Sequence, residues 1–136
     1  MMPTLQPSGD EVALADTSVF VAAEQGRRLS TKAPKRLAVS VITVAELWLG
    51  VLAAPDARIR AQRMKTLSAA ESLAPLPVDE NVARAWAALR LSLHDLGKRM
   101  PINDSWIAAT ALAHTLAVAS QDADYDEVPG LHVIRV

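Results

Sequence analysis

The stretch PINDSWIAATALAHTLAVASQDADYD, residues 101–126, decides how the rest of the chain is read. Its composition predicts a helix over 101–115, a short strand over 116–120 and an acidic turn over 121–126. Asp104 falls in the first turn of that helix, and Asp122 falls just past the strand. A helix that feeds a strand ending in carboxylates puts acid on one rim of a sheet. In open α/β sheets that rim is where ligands bind, in the crevice beyond the carboxyl ends of the strands. Two earlier segments, VALADTS and ITVAELWLG, send Asp16 and Glu46 toward a similar place.

Outward from that stretch, strands and helices alternate. The run 12–15 is short and apolar, as a buried parallel strand should be, and ends at Asp16. A helix over 17–23 follows, with Gly26 as its stop signal. The linker 27–36 is polar and basic, and 37–40 reads as a second strand. The segment 42–53 is apolar on nearly every face, which predicts a helix that is buried or covered by a partner. Pro55 opens the next helix, at a position where proline is tolerated, and the helix runs to about residue 70. The run 73–78 carries Pro75 and Pro77, so it is expected as a poor strand at a sheet edge. Asp79 should cap a long helix whose apolar stripe is Val82, Trp86, Leu89, Leu93 and Leu96, with Gly97 at its end. Pro129-Gly130 marks a turn, and 131–136 reads as the last strand. The alternation implies a single-domain open parallel sheet with helices on both faces, an α/β fold over 11–136. Residues 1–10, broken by Pro3, Pro7 and Gly9, are expected as a flexible N-terminal tail.

The bulk numbers remove several function classes. There is no cysteine, which excludes disulfides, zinc–thiolate sites and thiol catalysis. A net charge of −1 gives no global signature of a nucleic-acid binder, so any contact with phosphate must be local. No apolar run approaches the roughly 20 residues of a membrane span. The first residues lack the basic start and apolar core of a signal peptide, which leads to an expected cytoplasmic location. No GxxxxGK[ST] or GxGxxG motif is present, so nucleotide-loop chemistry is not expected.

The carboxylates carry the chemistry, although each has a plainer reading. Asp16 before Thr17 would serve as a helix cap. Asp104 in a first helical turn is favoured by the helix dipole. Asp122, Asp124, Asp126 and Glu127 would form a solvated acidic loop. Glu46 is harder to dismiss, because its neighbours are Val44, Ala45, Leu47, Trp48 and Leu49. A carboxylate there must lie on a thin polar face or have a partner. Its face also carries the small residues Thr43 and Gly50, and the Asp104 face carries Ala108 and Ala111. Both faces therefore permit close approach to the sheet. The acidic run from Asp122 is not an EF-hand loop, since positions six and twelve are Glu127 and Val133 instead of glycine and glutamate. His94, His114 and His132 have no nucleophile motif near them. Carboxylates gathered on one rim repel each other and call for a hard cation, and an all-oxygen set suits Mg²⁺ or Mn²⁺.

With these residues in place, the sequence resembles the PIN-domain family, and within it the VapC-like toxin ribonucleases of type II toxin–antitoxin systems. The fragments that carry the resemblance are LADTS, TVAELWLG, NDSWIAATALAH and SQDADYDEVPGLHVI. Their acids stand in order at 16, 46, 104 and 122, separated by 30, 58 and 18 residues. The resemblance implies an Mg²⁺- or Mn²⁺-dependent endoribonuclease that hydrolyses RNA phosphodiester bonds with a catalytic quartet of Asp16, Glu46, Asp104 and Asp122. Asp124 is a further metal-ligand candidate that supplements or replaces Asp122. Ser120 stands where the family often has threonine, a hydroxyl that orients a carboxylate or water. Gln121 stands where arginine is common. The resemblance also implies a cognate antitoxin and a homodimer. A housekeeping RNA-processing PIN nuclease is the closest rival, and a noncatalytic receiver-like metal-binding module is a more distant one. The small single-domain size favours the toxin.

Local basic residues are the candidates for RNA contact. Lys98 and Arg99 come first because they immediately precede the Asp104 helix. Lys35 and Arg36, with Lys32, follow in the linker, and Arg58, Arg60 and Arg63 on the helix after Pro55. Trp48 is the candidate for a partner interface, with core packing as its alternative.

Overall fold

A computed structural model of the chain describes residues 12–30 and 33–136. The expected tail over 1–10, and Lys32, lie outside the described residues. Strand β1 (Val12–Ala15) and strand β3 (Ala117–Ser120) form the centre of a four-stranded sheet, flanked by β2 (Arg36–Ala38) and β4 (Val133–Arg135). All pairings are parallel and the strand order is β2-β1-β3-β4. Leu14 pairs with Ala38 on one side and with Val118 on the other. The chain thus leaves β1 toward β2 and returns to pair β3 on the opposite side. This is a topological switch point, and the crevice beyond β1 and β3 is the expected ligand position.

The two central strands are buried on both faces, and their side chains alternate by residue. Ala13, Ala15, Ala117 and Ala119 face one core, with Val19 and Phe20 of helix α1 (Thr17–Glu24). Leu47 and Val51 of α2 (Val41–Leu52) and Leu67 and Ala70 of α3 (Ala57–Glu71) complete it. Leu14 and Val118 face the other core, with Leu89 and Leu93 of α4 (Glu80–Asp95) and Ile107, Ala108 and Ala111 of α5 (Ile102–Ala113). Helices therefore cover both faces. Four alanines on the first face let α1 and α2 come close to the sheet. Ala108 and Ala111, both fully buried, do the same for the helix that carries Asp104.

Helix ends follow local chemistry. Asp79 caps α4 by accepting from the Val82 N–H at 2.9 Å. Gly97, at φ +67°, ends it: the Gly97 and Lys98 N–H groups return to the carbonyls of His94 and Leu93.

Several expectations need correction. The 73–78 segment is not a strand. Pro75 and Pro77 have no N–H to give, and only Leu76 between them pairs, donating to the Val39 carbonyl and accepting from the Val41 N–H. Pro55 does not open α3; Asp56 caps it through the Ile59 N–H at 2.8 Å. Strand β2 starts one residue early and stops at Ala38, and β4 spans three residues of the expected six. Leu96 is exposed, because Gly97 turns the chain before the stripe can continue inward. Trp86 is only half-buried and stacks on Trp106 of α5 at a centroid distance of 4.4 Å.

Helix α2 is not buried all round. Thr43, Leu47 and Val51 form its inner stripe, while Trp48, Leu49 and Leu52 stand outward at 42, 67 and 71% exposure. Trp48 is therefore a surface residue of this chain, and Trp48→Ala is expected to change the unfolding free energy by no more than about 1 kcal/mol. Urea unfolding measures this directly, and loss of cooperative folding would return Trp48 to the core.

Candidate functional site

The site is built outward from Asp16. β1 ends there, at the switch point, and the Asp16 N–H extends the ladder by donating to the Ala119 carbonyl at 3.0 Å. The side chain is 2% exposed. Its Oδ1 accepts from the Ser18 N–H at 3.1 Å and from Ser18 Oγ at 2.5 Å, and its Oδ2 accepts from Ser120 Oγ at 2.9 Å. The helix-cap role and the site role are thus served by the same carboxylate. Both serine hydroxyls also accept: Ser18 Oγ from the Gln121 N–H at 3.1 Å, and Ser120 Oγ from the Asp122 N–H at 2.8 Å. The acidic turn after β3 is thereby tied to the end of β1. Burial pushes the Asp16 carboxyl above its ordinary range, the serine bonds oppose this, and Asp122 adds to it.

Three carboxylates meet above that base. Ligand oxygens of Asp104, Asp122 and Asp124 lie within 4.8 Å of one another. Asp104 projects from the first turn of α5, whereas Asp122 and Asp124 come from the short 3-10 turn Ala123–Tyr125 and the residue before it. Asp104 is pushed up to about 7, first by burial, next by the hydrogen bond and charge of Asp124, and then by the charge of Asp122. The choice between Asp122 and Asp124 that the sequence left open has a simple geometric outcome: both stand beside Asp104.

Glu46 stands outside that trio. Thr17 Oγ1 donates to Glu46 Oε1 at 2.6 Å. Since that uses the Thr17 proton, the 3.1 Å contact between the Thr17 and Thr43 hydroxyls has Thr43 as donor. Glu46 also lines a cavity of about 270 Å³ with Thr17, Glu24 and Arg63.

The residues fit a hard divalent ion. The donors are all carboxylate oxygens at one rim, and the three histidines are exposed and apart from them. Beneath them lies Tyr125, fully buried, whose hydroxyl has no hydrogen-bond partner among the described residues. Its ionisation is pushed far up by burial and by the charges of Asp16, Asp104 and Glu46.

The sequence reading missed Thr17, Ser18 and Tyr125. The first two have a signal, a serine two residues after a strand-ending aspartate. Tyr125, the only tyrosine of the chain, was an aromatic residue in an otherwise acidic turn. Lys98 and Arg99 sit in the connection before α5 and line a cavity of about 590 Å³ with Arg90 and His94. Lys98 Nζ is 3.1 Å from Glu127 Oε2, just past the acidic turn. Lys35 and Arg36 lie at the start of β2. The described strands are parallel and the acids follow the strand ends, so these two occupy the opposite rim, roughly 13 Å away along the strand.

Comparison with known proteins agrees with this architecture. The PIN domain family model matches residues 13–131. The chain is 48% identical over 125 residues to Ribonuclease VapC5 of Mycobacterium tuberculosis, covering 89% of this chain and 93% of that protein. It is 46% identical over 129 residues to Ribonuclease VapC4 of the same organism, covering 91% and 96%. A crystal structure of VapBC-5 from M. tuberculosis, a member of the VapBC family of toxin–antitoxin systems, superposes with a TM-score of 0.84 at 44% identity. That match covers 92% of this chain and 98% of the other.

The raised carboxylates set the pH dependence of the metal-free protein. An unfolded aspartate titrates near 3.9, whereas folded Asp104 titrates at about 7. Between those values the native state holds more protons than the unfolded one, so stability falls as pH rises from about 4 to about 7. Thermal melts in chelator across that window are expected to show the fall, and Asp104→Asn should flatten part of it. Equal slopes for the two proteins would contradict this account of Asp104.

Proposed function

The chain belongs to the PIN-domain family, and on that footing we infer that it is a VapC-type ribonuclease, the toxin half of a toxin–antitoxin pair. The observation that carries this reading is a carboxylate cluster at the switch point of a chain whose near-full-length relatives bear the name VapC ribonuclease. Those relatives favour the toxin over a housekeeping RNA-processing nuclease. A receiver-like module has no support in them.

Cleavage depends on a metal ion, and the oxygen-only donor set favours Mg²⁺ or Mn²⁺. Asp104, Asp122 and Asp124 are the proposed ligands, with Asp16 and Glu46 completing the acidic rim. Among the described residues Asp16 Oδ2 accepts one hydrogen bond, from Ser120, which leaves lone-pair capacity for the ion or for a bound water. Such an ion supplies charge that polarises the phosphodiester and acidifies an attacking water. Ser18 and Ser120 hold Asp16 in one orientation, and Thr17 does the same for Glu46. A carboxylate not occupied by the ion can take the proton of the attacking water.

RNA phosphates are proposed to lie along Lys98 and Arg99, on the connection that leads into the Asp104 helix. Lys35 and Arg36, on the far rim, lie away from that path. The outward face of α2, with Trp48, Leu49 and Leu52, is the proposed interface for the antitoxin or for a second copy of the chain in a homodimer. No helix among the described residues is long and apolar enough to cross a membrane. An RNA substrate puts the working place in the cytoplasm.

Cleavage of total cellular RNA with added Mg²⁺ or Mn²⁺ tests the assignment. Asp104→Asn is expected to lower the rate by at least roughly 100-fold with an unchanged circular dichroism spectrum, and full activity in the folded variant would sink it. Replacing Lys98 and Arg99 together by alanine should reduce the slope of log affinity against log salt by about 1.4, two single-strand phosphate contacts. An unchanged slope would remove them from the RNA path.

A further inference from the structure

Tyr125 is buried in a way that packing alone does not explain. Its ring belongs to the core beneath α4 and α5, alongside Leu14, Met100, Ile107 and Val128. Its side chain is fully buried, yet its hydroxyl has no hydrogen-bond partner among the described residues. An orphaned buried hydroxyl is destabilising, and phenylalanine would fill nearly the same volume without that cost. The hydroxyl points into the acidic site: Asp104 is close enough for each group to affect the other's ionisation, although the contact lacks the geometry of a formed hydrogen bond. The charges of Asp16 and Glu46 act on it as well.

We propose that Tyr125 is a positioning residue whose Oη–H donates a hydrogen bond to the Asp104 carboxylate when that carboxylate holds the metal, fixing which oxygen faces the ion. The assignment rests on the reading of the rim as a metal site. In the metal-free protein Asp104 stands against Asp122 and Asp124, with ligand oxygens within 4.8 Å of one another. A cation held by these carboxylates would draw one Asp104 oxygen onto itself and leave the other to accept. The orphaned donor below then gains its partner. Outer-shell hydrogen bonds of this kind orient ligands, and their loss lowers metal affinity by roughly 10–100-fold.

The test is Tyr125→Phe, which keeps the ring and removes only the hydroxyl. Two quantities are read: the melting temperature in chelator, and the Mn²⁺ dissociation constant by titration calorimetry, without RNA. The expected result is a metal-free variant at least as stable as the wild type, together with a dissociation constant raised roughly tenfold or more. A variant that binds Mn²⁺ as tightly as a binding wild type overturns the role of Tyr125 and leaves the metal site standing. A variant destabilised in chelator, with unchanged affinity, assigns the hydroxyl to the fold and also overturns it. A wild type that binds no Mn²⁺ overturns the metal site and this inference together.

Discussion

A carboxylate removed almost wholly from water stands at the end of β1, and the rest of the site depends on how it is held. Asp16 needs hydrogen bonds, because an unpaired buried charge is costly. They come from Ser18, the second residue of α1, and from Ser120, at the end of β3. These donors lie on either side of the switch point, so the carboxylate joins the strand it follows, the helix it caps and the strand beside it. Because each hydroxyl also accepts an N–H from the chain after β3, the acidic turn is set in place by the same two serines. The order β2-β1-β3-β4 is what makes this possible, since only a parallel β3 next to β1 brings Ser120 to Asp16.

The remaining acids reach the rim by packing. Asp104 is carried by α5, whose approach to the sheet depends on fully buried Ala108 and Ala111. The first turn of α5 is further locked to α4. Trp86 stacks on Trp106 with planes 5° apart, Trp86 Nε1 donates to Ser105 Oγ at 3.0 Å, and Arg90 lies 5.8 Å over the Trp86 ring. Ser105 directly follows Asp104, so this clamp fixes the backbone from which the carboxylate projects. The result is a rigid scaffold holding like charges together, which is unfavourable until a proton or a cation intervenes. Protonation of Asp104 serves without metal, and ion binding replaces it.

Much of this was legible in the sequence for identifiable reasons. β1 and β3 are unbroken apolar runs in which both faces are buried, and their bounds at Ala15 and Ser120 were set by the polar residues that follow. Asp79 and Gly97 announced the ends of α4 through cap chemistry that is local in sequence. The 73–78 run misled because its apolar composition resembles a strand, whereas two missing N–H groups leave a single residue able to pair. At α2 the apolar composition left burial and a covering partner both open, since periodicity says which residues share a face and not which face has a neighbour. Tyr125 was least legible. Its side chain is defined by what lies above it, and those carboxylates come from β1, α2 and α5, distant in the chain.

The central claim is that acids from β1, α5 and the turn after β3 form one metal site. Anomalous diffraction from crystals soaked in Mn²⁺ locates the ion without reference to activity. The account predicts one strong peak in the crevice beyond β1 and β3, with carboxylate oxygens of Asp104 and of Asp122 or Asp124 at about 2.1 Å and Asp16 bounding the same crevice. A peak confined to the exposed Asp124–Asp126 turn and away from Asp104, or no peak at saturating Mn²⁺, would contradict it.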